Sequence, residues 1–183
     1  MERLYVHEDV FEAFVAAFVT RVEGMVLSAG IGWAADMGSL ISGRQLDRVL
    51  AHVQDAVAHG ATVRAGGRAR PDVGPFFLEP TVLTGVTSDM ALCDEETFGP
   101  IVGIATYSTF VQAIELANAP GYGLSSAVYT TEPDEVFAFR RGISAGMVSV
   151  NNSTSGAEAH LPFGGNGKSG NGARQSGMWV LDQ

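Results

Sequence analysis

Cysteine is nearly missing from this chain: Cys93 is the one thiol in 183 residues. An internal disulfide or a cysteine-cluster metal site is therefore excluded. The 4 histidines (His7, His52, His59 and His160) do not pair with acids at metal-ligand spacing, so no metal centre is expected. Bases are also scarce, with 11 Lys and Arg against 20 Asp and Glu and a formal net charge of -9. Binding to a phosphate backbone or an anionic membrane needs clustered cations, so nucleic-acid and membrane roles are disfavoured. Long hydrophobic runs are absent, as are the basic flank and apolar core of a secretory signal. A cytoplasmic protein is the expectation.

What is present is the composition of a folded domain. Hydrophobic residues make up 46% and charged residues 17% of the sequence, too apolar a balance for a disordered chain. The length suits one domain with a real core, and residues 1–183 are read as a single domain with no internal boundary. The 23 glycines punctuate elements rather than forming a low-complexity tract.

Leu4, Tyr5 and Val6 read as a short strand. Val10, Phe11, Phe14, Val15, Phe18, Val19 and Val22 recur at helical spacing, which predicts an amphipathic helix from Asp9 to Gly24 with Asp9 as its N-cap. A glycine-rich loop follows. Ser42 is the expected cap of a second helix facing Leu46, Val49, Leu50, Val53 and Val57 inward and ending at Gly60. His52 and His59 on that helix are expected to face solvent. Strands are predicted at 62–65, at 76–83 with Pro80 marking an edge or bulge, and at 101–107. Beyond Thr109, helical and strand patterns alternate through Val150. Short apolar strands alternating with helices imply βαβ crossovers. The expected fold is α/β, an open, mostly parallel twisted sheet with helices on both faces.

Two stretches carry candidate chemistry. In residues 92–101 an acidic pair, an aromatic and a Gly-Pro turn lead into an apolar strand. A carboxylate such as Glu96 accepts hydrogen bonds from hydroxyls, and the Phe98 ring offers a flat apolar contact, so the pair suits a ribose and its attached ring. Glu and Phe also occur in loops that bind nothing. Cys93 sits beside Asp94, Glu95 and Glu96, whose charge raises a thiol pKa, so it reads as a packed residue rather than a nucleophile. Residues 162–172 form a glycine-dense loop carrying Lys168. It lacks the spacing of a Walker loop and of a dinucleotide fingerprint, and its glycines suit a tight loop with positive φ.

In order and spacing, these stretches resemble the E-E-x-F-G-P and P-F-G-G-x-K-x-S-G segments of the aldehyde dehydrogenase superfamily. Segments at 37–42, 77–83, 122–130 and 146–152 resemble the family in the same order, so the resemblance covers Glu2 to Gly177. It implies a fold like the family's catalytic domain and a cofactor that is NAD or NADP. By resemblance, Glu96 holds the nicotinamide-ribose hydroxyls and Phe98 lies beside the nicotinamide. Phe163 lines the aldehyde pocket, and the loop holding Asn152 and His160 borders the substrate entrance, although a lone loop histidine is also commonly just solvated. The form of residues 29–39 and of Glu95-Glu96-Thr97-Phe98 is similar to semialdehyde-oxidising members such as succinate-semialdehyde dehydrogenases.

In that family the nucleophilic cysteine lies a few residues upstream of the segment matching residues 2–6. The general-base glutamate and the nucleotide-binding domain come earlier still. The expectation is therefore a truncated catalytic domain, with Met1 standing where a valine is usual, no catalytic residue of its own and no turnover alone. An aldehyde substrate and homo-oligomerisation are what the resemblance implies for the intact enzyme. The alternative is a non-catalytic oligomerisation or interaction module derived from the family, its former domain interface left apolar. A standalone nucleotide-binding domain is disfavoured, because no glycine-rich strand-to-helix turn is present.

Overall fold

The computed structural model describes residues 1–182, without the side chains of Trp179 and Asp182. The chain divides into two compact units, one spanning Met1–Ser108 and the other beginning at Thr109.

The first unit runs β1 (Arg3–His7), α1 (Phe11–Glu23), α2 (Gly43–Ala58), β2 (Thr62–Ala65), β3 (Thr81–Thr84), α3 (Ala91–Asp94) and β4 (Ile101–Tyr107). Its sheet has the order β1-β4-β3-β2, with β4 parallel to β1 and β3, and β2 antiparallel to β3. The pleat sends alternate residues to opposite faces. On one face Leu83 and Ile101 join Leu46, Val49, Val53 and Ala56 of α2. On the other, Val82, Val102 and Ile104 meet Val15 of α1, with Phe14, Phe18 and Val22 packed around them. Each fully buried side chain of this size contributes roughly 1.5–3 kcal/mol. The expected open, mostly parallel sheet with a helix on each face is what forms.

Local details differ from the sequence expectation: Val57, expected inward on α2, is exposed, Ala56 taking the buried place beside it, and two segments begin otherwise. Asp9 does not cap α1: a 3-10 turn, Glu8–Val10, comes first, and its cap is His7, whose Nδ1 accepts from the Asp9 amide at 3.3 Å. The strand expected from Phe76 begins only at Thr81. Pro80 has no N–H for a ladder, and the chain before it pairs outside the sheet, with Arg70 donating to the Phe77 carbonyl and Glu79 to that of Arg68.

In the second unit, Thr109 caps α4 (Phe110–Asn118) by accepting from the Gln112 amide. There follow β5 (Tyr122–Gly123), β6 (Ser125–Val128), α5 (Pro133–Gly142), β7 (Met147–Val150) and β8 (Asn166–Gly167). β6, α5 and β7 form a βαβ crossover whose strands are parallel, whereas β5 and β8 pair antiparallel. Asn118 links the helices, donating to the Gly142 carbonyl and accepting from Ser144. Among the described residues, no helix is long and apolar enough to cross a membrane.

Candidate functional site

Glu96 and Phe98 sit on the connection between α3 and β4, and both are exposed, Phe98 by 73%. The loop around them is held on several sides. From α2, Gln45 Nε2 donates to the carbonyls of Thr97 (2.7 Å) and Phe98 (2.9 Å). One turn on, Arg48 donates to the Glu96 carbonyl (2.8 Å) and the Glu95 carboxylate (3.1 Å). Another turn on, His52 Nδ1 is hydrogen-bonded to Thr97 Oγ1 at 2.9 Å, and its Nε2 lies 3.6 Å from Glu95. From just before β1, the Glu2 carboxylate accepts from the amides of Thr97 (3.2 Å) and Phe98 (2.8 Å).

Phe98 needs this support, because its φ is 55°. For an aromatic residue that left-handed geometry costs about 1–2 kcal/mol, and such backbone persists only where the surroundings over-determine it. Gly99 then lets the loop lie on α2: a Cβ there would meet Val49 Cγ2 at 2.5 Å. Thr97 is the buried foot of the loop, 1% exposed, while the flanking Glu96 carboxylate and Phe98 ring stay in the open. An exposed carboxylate and an exposed flat ring two residues apart on a held backbone can receive a diol and an aromatic ring.

His52 overturns its expected place. It is 7% exposed rather than solvent-facing, because it lies in the same helical stripe as Val49, Val53 and Ala56. His59 does face solvent. Cys93 is half-buried against the α2-side core. Burial pushes its thiol pKa up, with Asp89 adding and Arg3 opposing, so a thiolate is disfavoured there. The acid that matters is Asp89, not the adjacent run at 94–96. Among the described residues, no group of three or more His, Cys, Asp and Glu is placed to hold a metal ion.

The other candidates belong to the second unit. Asn152 and His160 are exposed on the loop after β7, and Asn152 Oδ1 accepts from the Ser153 amide at 2.8 Å. Phe163 is half-buried, and its backbone exchanges two 2.6 Å hydrogen bonds with Gln175. In the glycine-dense loop, Arg174 donates to the carbonyls of Gly165, Gly172 and Ala173 and to Asn166 Oδ1 (2.6 Å). These carbonyls turn toward a cation, the opposite of amides cradling a phosphate. Gly164 packs so closely under Gly146 that a Cβ on Gly146 would meet its carbonyl oxygen at 1.8 Å. The loop is a packing element.

Sequence reasoning missed Glu2, Gln45, Arg48 and His52. The last three form one stripe of α2, a signal that helical spacing carries. Glu2 has no local signal.

The aldehyde dehydrogenase family model matches residues 1–183. The chain belongs to the aldehyde dehydrogenase family. It is 45% identical over 183 residues to the "Putative succinate-semialdehyde dehydrogenase [NADP(+)] 2" of Mycobacterium ulcerans, covering 99% of this chain and 35% of that protein. An NAD+ complex of aldehyde dehydrogenase from Bacillus cereus superposes with a TM-score of 0.92 at 36% identity, over 99% of this chain and 36% of that one. Aldehyde dehydrogenase 21 from Physcomitrella patens, in complex with the reaction product succinate, gives 0.92 at 30% identity, over 100% of this chain and 37% of that one. The chain thus spans about a third of the length of these aldehyde dehydrogenases.

Proposed function

We propose that this chain is part of the catalytic domain of an NAD(P)-dependent aldehyde dehydrogenase that oxidises a semialdehyde to a carboxylic acid. When bound, the nicotinamide cofactor supplies the hydride acceptor. The chain's own contribution is to hold it: Glu96 takes the nicotinamide-ribose hydroxyls and Phe98 lies against the nicotinamide ring. Phe163 packs on the aldehyde, and Asn152 and His160 border its entrance. The observation that carries this reading is the clamped loop, whose backbone is held from α2 and Glu2 while the Glu96 carboxylate and the Phe98 ring stay exposed two residues apart. The named substrate of the Mycobacterium ulcerans relative and the succinate in the Physcomitrella patens structure favour a semialdehyde. The only thiol, Cys93, is half-buried with a raised pKa, so these 183 residues alone do not turn over aldehyde. In the cell the enzyme is a cytoplasmic homo-oligomer.

The test is a chimera in which this chain replaces the matching third of the Mycobacterium ulcerans relative. It should reduce NAD+ or NADP+ with succinate semialdehyde, and Glu96→Gln should raise the cofactor KM at least tenfold. The isolated chain should show no turnover. A well-folded chimera inert toward semialdehydes, or an active isolated chain, overturns the reading.

A non-catalytic oligomerisation or interaction module is the second reading. It is favoured by the full exposure of Ile31 and Trp33, and of Ile41 close by, on and beside the loop before α2. Light scattering of the chain over a hundredfold concentration range tests it, and a constant monomer mass removes it.

A further inference from the structure

We propose that Glu2 is the positioning residue that holds Phe98 and Glu96 in their presenting geometry, a role that rests on the cofactor reading above. Phe98 has φ of 55°, and fixing it requires control of the peptide planes on both sides. Glu2 controls the plane before it, accepting from the Phe98 amide with Oε1 at 2.8 Å and from the Thr97 amide with Oε2 at 3.2 Å. Gln45 meets that same plane from its other edge, through the Thr97 carbonyl at 2.7 Å, and holds the plane after it through the Phe98 carbonyl at 2.9 Å. Glu2 is itself placed by the sheet: its carbonyl accepts from the Gly103 amide at 2.9 Å, where Arg3 of β1 stands opposite Gly103 of β4. The pairing of β1 with β4 therefore sets Glu2, Glu2 sets the two amides, and the amides set the backbone from which the ring and the neighbouring carboxylate project.

A carboxylate suits this task in a way its amide isostere does not. The two N–H groups meet different oxygens, Oε2 and Oε1, and a carboxylate offers both as acceptors. Glutamine offers one oxygen and an NH2 group that opposes the second N–H, so Glu2→Gln keeps the shape and loses one side of the grip. Glu2→Ala loses both.

The experiment uses the whole 183-residue chain, isotope-labelled, as wild type, Glu2→Gln, Glu2→Ala and Gln45→Ala. Hydrogen exchange is read at Thr97 and Phe98, with Val82 and Ile104 as core controls, and the Phe98 HN–Hα coupling reports φ. NAD+ is then titrated to millimolar concentration while the Phe98 signals are followed. In Glu2→Gln, exchange at Thr97 and Phe98 should accelerate at least tenfold, the coupling should move toward an averaged value, and the NAD+ response at Phe98 should weaken at least fivefold. The core controls should not change. A merely structural role would move the controls as well, and that outcome overturns the proposal. So does a Glu2→Ala chain that keeps wild-type exchange and coupling at both residues. Gln45→Ala should free the Thr97 and Phe98 carbonyls and shift the Phe98 coupling, with the Thr97 and Phe98 amides still held by Glu2. If Glu96→Gln leaves the cofactor KM of the chimera unchanged, the cofactor reading falls, and the grip of Glu2 is decided by exchange and coupling.

Discussion

His52 Nδ1 and Thr97 Oγ1 are hydrogen-bonded at 2.9 Å between two buried residues, joining the middle of α2 to the loop that carries Glu96 and Phe98. Each is the other's means of remaining buried, since an unpaired polar group there forfeits its water without replacement. Thr97→Val should cost about 1–3 kcal/mol, the penalty for stranding the His52 ring. His52→Leu should cost a similar amount by stranding Thr97. Removing both partners leaves no orphan, so the double variant should lose clearly less than the sum of the singles. Urea unfolding of the four proteins in the cycle checks this, and strict additivity would mean the two groups are not coupled.

Phe98 is expected to trade stability for presentation of its ring. Its left-handed backbone costs about 1–2 kcal/mol, whereas glycine adopts it freely at an entropic cost of roughly 0.5–1 kcal/mol. Phe98→Gly should therefore be neutral or stabilising by up to about 1 kcal/mol, even though a large side chain is deleted. In the chimera described above, the same change should raise the cofactor KM. A thermal melt paired with steady-state kinetics tests the pair of effects. A loss beyond about 2 kcal/mol would show the exposed ring to be a packing element after all.

Gly99 and Val49 test how closely this loop must lie on α2. A methyl group at Gly99 would press on Val49, whose Cγ2 lies 2.5 Å from that position. Val49 is fully buried and has no solvent to move into. Gly99→Ala should destabilise by about 1–3 kcal/mol through overpacking. Adding Val49→Ala opens room for the new methyl, so the double variant should lose less than the two changes summed. Denaturant midpoints read the coupling directly.

What could be read from the chain alone was whatever repeats locally. The stripe of Leu46, Val49 and Val53 and the Ser42 cap marked α2 correctly, because period and cap chemistry are properties of neighbouring residues. The β4 run was legible for the same reason. The motif around Glu96 was found by its resemblance, but its support was not. Glu2 reaches Phe98 across 96 residues, and no local pattern records a contact at that distance. His52 was misjudged because its polarity was weighed above its position: it occupies the apolar stripe, which placed it in the core once Thr97 supplied a partner. Asp9 failed as a cap because a 3-10 turn closed by His7 precedes the helix. The loop of Asn152 and His160 has neither period nor cap, so the resemblance was the main guide there.

His59 supplies the pH dependence, at the opposite end of α2 from its cap. Its Nδ1 lies 2.8 Å from the Asp55 carbonyl and 3.3 Å from the Asp55 carboxylate. The carbonyl hydrogen bond raises its pKa above the ordinary value of 6.5, with the charges of Asp55 and Asp89 helping and slight desolvation opposing. A cation near a helix C-terminus is favoured for the same reason. Because the folded pKa is the higher one, the stabilisation is fully present below the unfolded value and is lost as pH rises from there through the folded value. Stability should therefore fall on passing upward through that window in the wild type, and His59→Ala should remove this portion of the slope. A proton NMR titration of His59, with urea midpoints at pH 5.5 and 8.5 for both proteins, reads the sign. A His59 that titrates below 6.5, or a variant that keeps the wild-type slope, would show that the Asp55 carbonyl does not hold the proton.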